Sequence, residues 1–380
     1  MTEVRRCPRC LLPETVGNIH FDANGVCNHC LDYDRGFSNW EEIKDRKAKE
    51  FQDILNQAKK LNRPYDCFVP LSGGKDSTYT LYLATKVYGL RTLAVTLDNG
   101  YLSRLAKENI KNALEHCDAD HFFYNINKKN SSALFKEFVL KSGNFCNACM
   151  RGINYAIEIS AKSFKIPLII KGSGRRVPYI SQLKGISTLN TPSYYLNILK
   201  NSKLLNQFKH MARFKTSLEF QKTMGGICDI LNIPRISLMK YVPQHIGMYD
   251  YIYLPYTEIL DVIKREMGWS DFGGTVEHLD CDLHDVPFHK NTLKVPNITK
   301  STFHNSGLIR QGILTKEEAL NIEAKDSADS SIPKDLASFL QETGITYDEY
   351  VNYVKSSDNK RFENRFEKLA RDIYHRLRKF

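Results

Sequence analysis

The 380-residue sequence contains no apolar run approaching the ~20 residues that a membrane helix needs, so no membrane-spanning segment is expected. The start of the chain, MTEVRRCPRC, carries an arginine pair but no apolar stretch behind it, which argues against a secretory leader and for a cytoplasmic protein. No repeat of fixed period and no low-complexity tract interrupts the chain, which excludes solenoid and array architectures. Acids are scarce in one place: the span 171–222 holds ten Lys or Arg against a single acid, Glu219. Tryptophan is rare too, with two residues. Apolar residues make up 42%, ordinary for a globular chain long enough for one large or two medium domains. The net charge of +11 favours anionic partners such as nucleotides, sugar nucleotides or RNA.

Cysteine is present in a telling arrangement. Six of the ten form C-x-x-C pairs, Cys7/Cys10, Cys27/Cys30 and Cys146/Cys149, while Cys67, Cys117, Cys228 and Cys281 stand alone. Without a secretory leader, paired cysteines more often hold metal than disulfides. The first two pairs, sixteen residues apart, offer four thiolates on two knuckles. Such a set suits tetrahedral Zn²⁺ in a closed, structural site. Cys146 and Cys149 are too few to hold a metal alone, and the third thiol is read as Cys281, with Cys228 as its competitor. A second zinc site or plain core thiols are the alternatives. Cys67 and Cys117 read as core.

Along the chain, residues 39–60 form an amphipathic, charged helix with Trp40, Ile43, Phe51, Ile54 and Leu55 on its apolar stripe. Strands are expected at 67–71, 92–97, 121–126 and 167–171, separated by helices at 77–88, 102–117, 132–141 and 148–162. Strands alternating with helices predict an α/β fold with a doubly wound parallel sheet, whose ligands bind beyond the carboxyl ends of the strands. The domain reading is a zinc ribbon over 1–36 and a nucleotide-binding domain over 37–175. A basic, mainly helical insertion over 176–250 follows, then a C-terminal region, 251–380, that completes the active site and ends in a charged helical tail. The insertion's mixture of cations and aromatics suits either RNA phosphates and bases or a solvated helical face.

Between the first strand and the next helix stands Ser72-Gly73-Gly74-Lys75-Asp76-Ser77. Two glycines let backbone N–H groups turn tightly and approach phosphate oxygens, and the following helix aims the positive end of its dipole there. Ser72 and Ser77 add hydroxyls and Lys75 a charge, while Asp76 is read as a Mg²⁺ ligand or a group behind one. The spacing is not that of a Walker A loop.

This loop resembles the PP-loop of the ATP pyrophosphatase superfamily, with its HUP-like fold. The resemblance implies that ATP is bound by Leu71 through Ser77 and cleaved between the α and β phosphates, with Ser72, Lys75, Asp76 and Ser77 as the catalytic set. It also implies adenine contacts at the end of the second strand, Val95 and Leu97, and closure by a glycine after the fourth, Gly172. Cys146, Cys149 and Cys281 are similar to the three cysteines that hold a [4Fe–4S] cluster in iron–sulfur PP-loop tRNA thiolases.

Three stretches taken together resemble the N-acetyl sugar amidotransferases of surface-polysaccharide clusters. They are Cys7 to Pro13 with Phe21 to Cys27, Phe68 to Ser77, and Ser306-Gly307-Leu308-Ile309-Arg310-Gln311-Gly312 through Ala319. The resemblance implies adenylation of an acetamido oxygen on a sugar nucleotide and displacement of AMP by ammonia from a separate glutaminase. Where that family has a Gly-Glu-Asn type motif after strand four, this chain has Gly172-Ser173-Gly174-Arg175-Arg176. Arg175 and Arg176 are read as a bidentate site for a substrate phosphate or carboxylate, or as an exposed basic pair. His278 and Asp280 are read as proton-transfer groups or ordinary surface residues. The cysteine set keeps open a second expectation, sulfur insertion into a small molecule or tRNA with a cysteine desulfurase as donor.

Overall fold

The computed structural model describes residues 4–37, 39–174, 192–200, 243–271, 280–329 and 331–357. Its centre is a five-stranded, all-parallel sheet in the order β3-β2-β1-β4-β5. The strands are β1 (Cys67–Pro70), β2 (Thr92–Asp98), β3 (Ala119–Asn125), β4 (Leu168–Lys171) and β5 (Gln244–Gly247). The sequence reading left β5 inside the insertion. Its four residues pair with β4 from Leu168↔Gln244 to Lys171↔Gly247, so the sheet gains an edge there.

Strand β1 reads as continuous apolar sequence because both of its faces are covered. Cys67 and Val69 face one core with Ala94, Leu168 and Ile170, closed by Phe51, Leu55, Tyr79, Ile259, Ile263 and Met267 from the helices Trp40–Lys60, Lys75–Tyr82 and Tyr256–Met267. Phe68 points the other way, into a smaller core with Leu93, Val95, Ile169 and Ile157 of the helix Cys146–Ser163. This is the doubly wound arrangement. Pro70 ends β1 without breaking the ladder, because the next residue takes it up: Leu71 N–H donates to the Val95 carbonyl at 2.8 Å.

The strand order places the topological switch beside β1. The chain leaves β1 toward β2 and β3, then crosses to the opposite side for β4. That switch point, beyond the carboxyl ends of β1 and β4, is the crevice where ligands of such sheets bind. The loop 72–77 follows β1 and Gly172 follows β4.

The last described helices build a third core. Phe339, Leu340, Tyr350 and Val354 of Lys334–Thr343 and Tyr347–Ser356 pack on Phe135, Phe138 and Val139 of the helix Lys128–Ser142. Helix starts at 316 and 347 are fixed by capping boxes, Thr315 with Glu318 and Thr346 with Glu349. Near the N-terminus the bridges Arg6↔Pro13 and Phe21↔Cys27 and the helix Asn28–Phe37 gather the four cysteines into a ribbon. Among the described residues no helix is long and apolar enough to cross a membrane.

Candidate active site

The phosphate loop is shaped by close backbone approaches. Gly73 takes φ +80°, and a Cβ there would lie 2.4 Å from the Ala106 carbonyl oxygen, so a side chain is excluded twice over. Its own carbonyl accepts from the Trp269 indole N–H at 2.9 Å, which pins the turn to the segment just after the helix Tyr256–Met267. Gly74 begins the helix Lys75–Tyr82 with no side-chain cap, leaving first-turn N–H groups for a ligand. Ser77 Oγ donates to the Gly74 carbonyl at 3.0 Å and accepts from Ser72 N–H at 3.2 Å.

The loop's charges are held from across the crevice. Lys75 is buried, with its ammonium 5.3 Å from the Tyr256 ring centre and 3.3 Å from Asp76 Oδ2. Tyr249, just after β5, donates its hydroxyl to Asp76 Oδ1 at 2.6 Å. Gly172 closes the site: a Cβ there would meet Asp76 O at 2.6 Å and Ser77 N at 3.0 Å. Loop and glycine thus touch directly. Val95 is buried beside Pro70 in the Ile157 core, and Leu97 lies half-buried farther along β2. Arg175, Arg176, His278 and Cys228 lie outside the described residues, as does most of the basic insertion.

A second cluster forms beside the loop, at the end of β2. Cys146 opens its helix and Cys149 follows one turn later, receiving a hydrogen bond from Asn99 Nδ2 at 3.2 Å. The segment 280–282 pairs back on the residues after β2. Leu102 bridges Cys281, Ser103 N–H donates to the Asp280 carbonyl at 3.3 Å, and Asp282 N–H to the Tyr101 carbonyl at 2.8 Å. Burial pushes the Cys281 thiol up to about 12 and raises Cys146 and Cys149 as well, with Cys281 and Cys146 each adding to the rise at Cys149. All three cysteines pack against one core, with Tyr101, Phe145 and Leu283. Lys290, also buried, is depressed by desolvation and opposed in this by Cys146.

The N-terminal cysteines are packed far more tightly. Cys7, Cys10, Cys27 and Cys30 are fully buried, with sulfurs all within 4.8 Å of one another. Contact with Cys10 drives the Cys7 thiol down and that of Cys30 up, since so many thiolates cannot coexist there without a cation. Four sulfur donors at this spacing fit a tetrahedral ion.

Against this ribbon packs the stretch 306–319. Ser306 Oγ accepts from Leu11 N–H at 3.2 Å, and Lys316 Nζ donates to the carbonyls of Cys7 and Pro8. Arg310 is 5% exposed, its Nη1 lies 4.0 Å from Cys30 Sγ, and its Nε and Nη2 find no partner among the described residues. A buried guanidinium left this way is costly unless the thiolate cluster supplies the counter-charge. Sequence reasoning marked these residues by resemblance and missed their role. It also missed Tyr249 and Trp269, whose partners lie 173 and 196 positions away.

Two comparisons with known proteins bear on the site. The uncharacterized protein MJ1599 of Methanocaldococcus jannaschii is 29% identical over 168 residues, 44% of this chain and 58% of that protein. The match thus spans less than two thirds of that relative. Residues 296–378, which include the stretch clasping the ribbon, match the family described as "LPS biosynthesis protein WbpG-like, C-terminal domain". The family match thus lies at the C-terminal end of the chain, in residues that include those packed on the N-terminal four-cysteine cluster.

Proposed function

We propose that this protein is an ATP-dependent amidotransferase of surface-polysaccharide synthesis. In this reading it adenylates the carbonyl oxygen of an acetamido group on a sugar nucleotide, releases pyrophosphate, and exchanges AMP for nitrogen. The observation that carries it is the contact between Gly172 and the first turn of the phosphate loop. It sets uncapped helix N–H groups at the sheet's switch point, which supports a phosphate-binding role.

The residues divide the work. Backbone N–H groups of 72–77 hold the β and γ phosphates, with Ser72, Ser77 and Lys75 as added donors. Asp76, fixed by Tyr249, orders the loop beside the Mg²⁺ that would accompany ATP. Val95 and Leu97 flank the adenine, as the resemblance implies. With the phosphates immobilised, the α-phosphorus would be held for attack, and positioning would supply most of the acceleration. Arg175 and Arg176 are proposed to hold the acceptor's phosphate or carboxylate. Ammonia would come from a separate glutaminase, and zinc in the N-terminal ribbon would be structural.

A second reading is favoured by the thiol patch beside the loop. Cys146, Cys149 and Cys281 gather there without reaching the tight spacing of the N-terminal four, which suits a polynuclear cluster better than a single ion. A [4Fe–4S] cluster bound by three thiolates leaves one iron for exogenous sulfur. Sulfur from a cysteine desulfurase would then replace AMP, on a small molecule or tRNA. Iron and acid-labile sulfide in anaerobically purified protein separate the two readings.

The test of the first reading uses UDP-N-acetyl sugars labelled with oxygen-18 in the acetyl carbonyl, together with ATP, Mg²⁺ and ammonium. Label recovered in AMP, beside an amidine product, is the expected outcome. Amidine formation with unlabelled AMP would sink it.

A further inference from the structure

Asp76 in the phosphate loop and Asp98 at the end of β2 are carboxylates already held. Asp76 accepts from Tyr249 and pairs with Lys75. Asp98 pairs with Lys107 at 2.9 Å and accepts from Gly100 N–H at 2.8 Å. Asp280 differs. Its Oδ2 lies 3.9 Å from the position of a Cβ on Gly74, so the carboxylate stands over the loop itself. Among the described residues its carboxylate accepts no hydrogen bond and makes no ion pair. Its backbone is fixed, because the carbonyl accepts from Ser103 N–H and the next residue bridges Leu102.

An unpaired anion at this point opposes what the loop is built for. Bare triphosphate would meet repulsion from Asp280 at close range, in a partly buried site where charges are poorly screened. A divalent cation between the two reverses the sign, since hard cations take carboxylate and phosphate oxygens together. The strand-like pairing of 280–282 with 101–103 also sets neighbours on opposite sides. Asp280 reaches the loop and Cys281 packs with Cys146 and Cys149, while the Asp280 charge also raises the Cys149 thiol, so one short segment joins both places.

Building on the reading of 72–77 as a nucleotide site, we propose that Asp280 is a direct protein ligand of the Mg²⁺ bound with the nucleotide's phosphates. It makes nucleotide binding metal-dependent and places the ion on the side of the crevice that faces the thiol patch. Asp76 then acts mainly as the loop's internal brace.

The test measures binding of the α,β-methylene analogue of ATP with and without Mn²⁺, and of Mn²⁺ to the protein–analogue complex by its electron paramagnetic signal. For Asp280→Asn, Mn²⁺ affinity in the complex should fall by about tenfold or more, as loss of one charged oxygen ligand. Metal-free analogue should bind as well as to the wild type, or better, because the repulsion is gone. Asp280→Glu, which keeps the charge on a longer arm, should recover part of the metal affinity. Unchanged Mn²⁺ affinity in the Asn variant overturns the proposal. So does a parallel loss of metal-free binding, which would mean that Asp280 only props the loop. A wild-type protein that binds no analogue under any condition removes the nucleotide site itself, a different failure from one confined to Asp280.

Discussion

Replacing Gly172 by alanine adds a single methyl group at the point where β4 meets the phosphate loop. The built Cβ lies 2.6 Å from Asp76 O, 2.7 Å from Asp76 C and 3.0 Å from Ser77 N. The first distance is about 0.8 Å short of the 3.4 Å where ordinary contact begins, and all three atoms belong to backbone that cannot rotate aside. Gly172 does not have a positive φ, so the alanine backbone is unstrained and the clash is the whole effect. Overpacking of this kind costs about 1–3 kcal/mol. If the first turn of the helix yields, its N–H groups leave the positions that hold phosphate, and nucleotide affinity falls by about 5- to 150-fold. Gly89 is the control: it has φ +56° and nothing within 4 Å of its Cβ position. Alanine there should cost about 1–2 kcal/mol of stability through backbone strain alone. Calorimetric titration with the α,β-methylene analogue, beside thermal melts, separates the two. Gly172→Ala should lose affinity and some stability, Gly89→Ala stability only. Wild-type nucleotide affinity in Gly172→Ala would refute the argument that this contact shapes the site.

Trp269→Phe leaves the buried Gly73 carbonyl without its donor and should destabilise the fold by about 1–3 kcal/mol, read from denaturant midpoints, with weaker nucleotide binding. Arg310→Ala removes the buried cation beside Cys30, so Zn²⁺ loaded into the ribbon should pass to a chelator at least several times faster than from the wild type, measured with a metallochromic dye. His121 has its pKa pushed down to about 4 by burial, so the unfolded chain binds more protons than the folded one between about pH 6.5 and 4. Stability should therefore fall as pH drops through that window, by no more than about 1.4 kcal/mol per unit for this one group. A His121→Gln variant, followed by urea melts at several pH values, should show a shallower decline.

How far the sequence reached depends on the range of the interactions. The strands β1 to β4 and the loop between β1 and its helix were legible because apolar runs, Gly73-Gly74 and the spacing of helices are local signals. The four ribbon cysteines were legible from spacing alone. Strand β5 was not, since Gln244-His245-Ile246-Gly247 is short and only partly apolar, and becomes a strand by pairing with β4. The brace of Tyr249 on Asp76 and the anchor of Trp269 on Gly73 join residues far apart in the chain, where no pattern announces a partner. The stretch 306–319 stood out by resemblance without a physical role, and its role is to clasp a ribbon some 300 positions earlier. Cys281 was singled out over Cys228 on chain layout. The structure brings Cys281 to the other two thiols, while Cys228 lies outside the described residues.

The central claim is that ATP held on residues 72–77 is attacked at its α-phosphorus by an oxygen of the acceptor. Purified protein should be given ATP labelled in the α and γ positions, Mg²⁺, ammonium and a set of UDP-N-acetyl sugars, and its products resolved by phosphorus NMR. Equimolar AMP and pyrophosphate, formed only when an acceptor is present, is the predicted result. ADP with inorganic phosphate would contradict it.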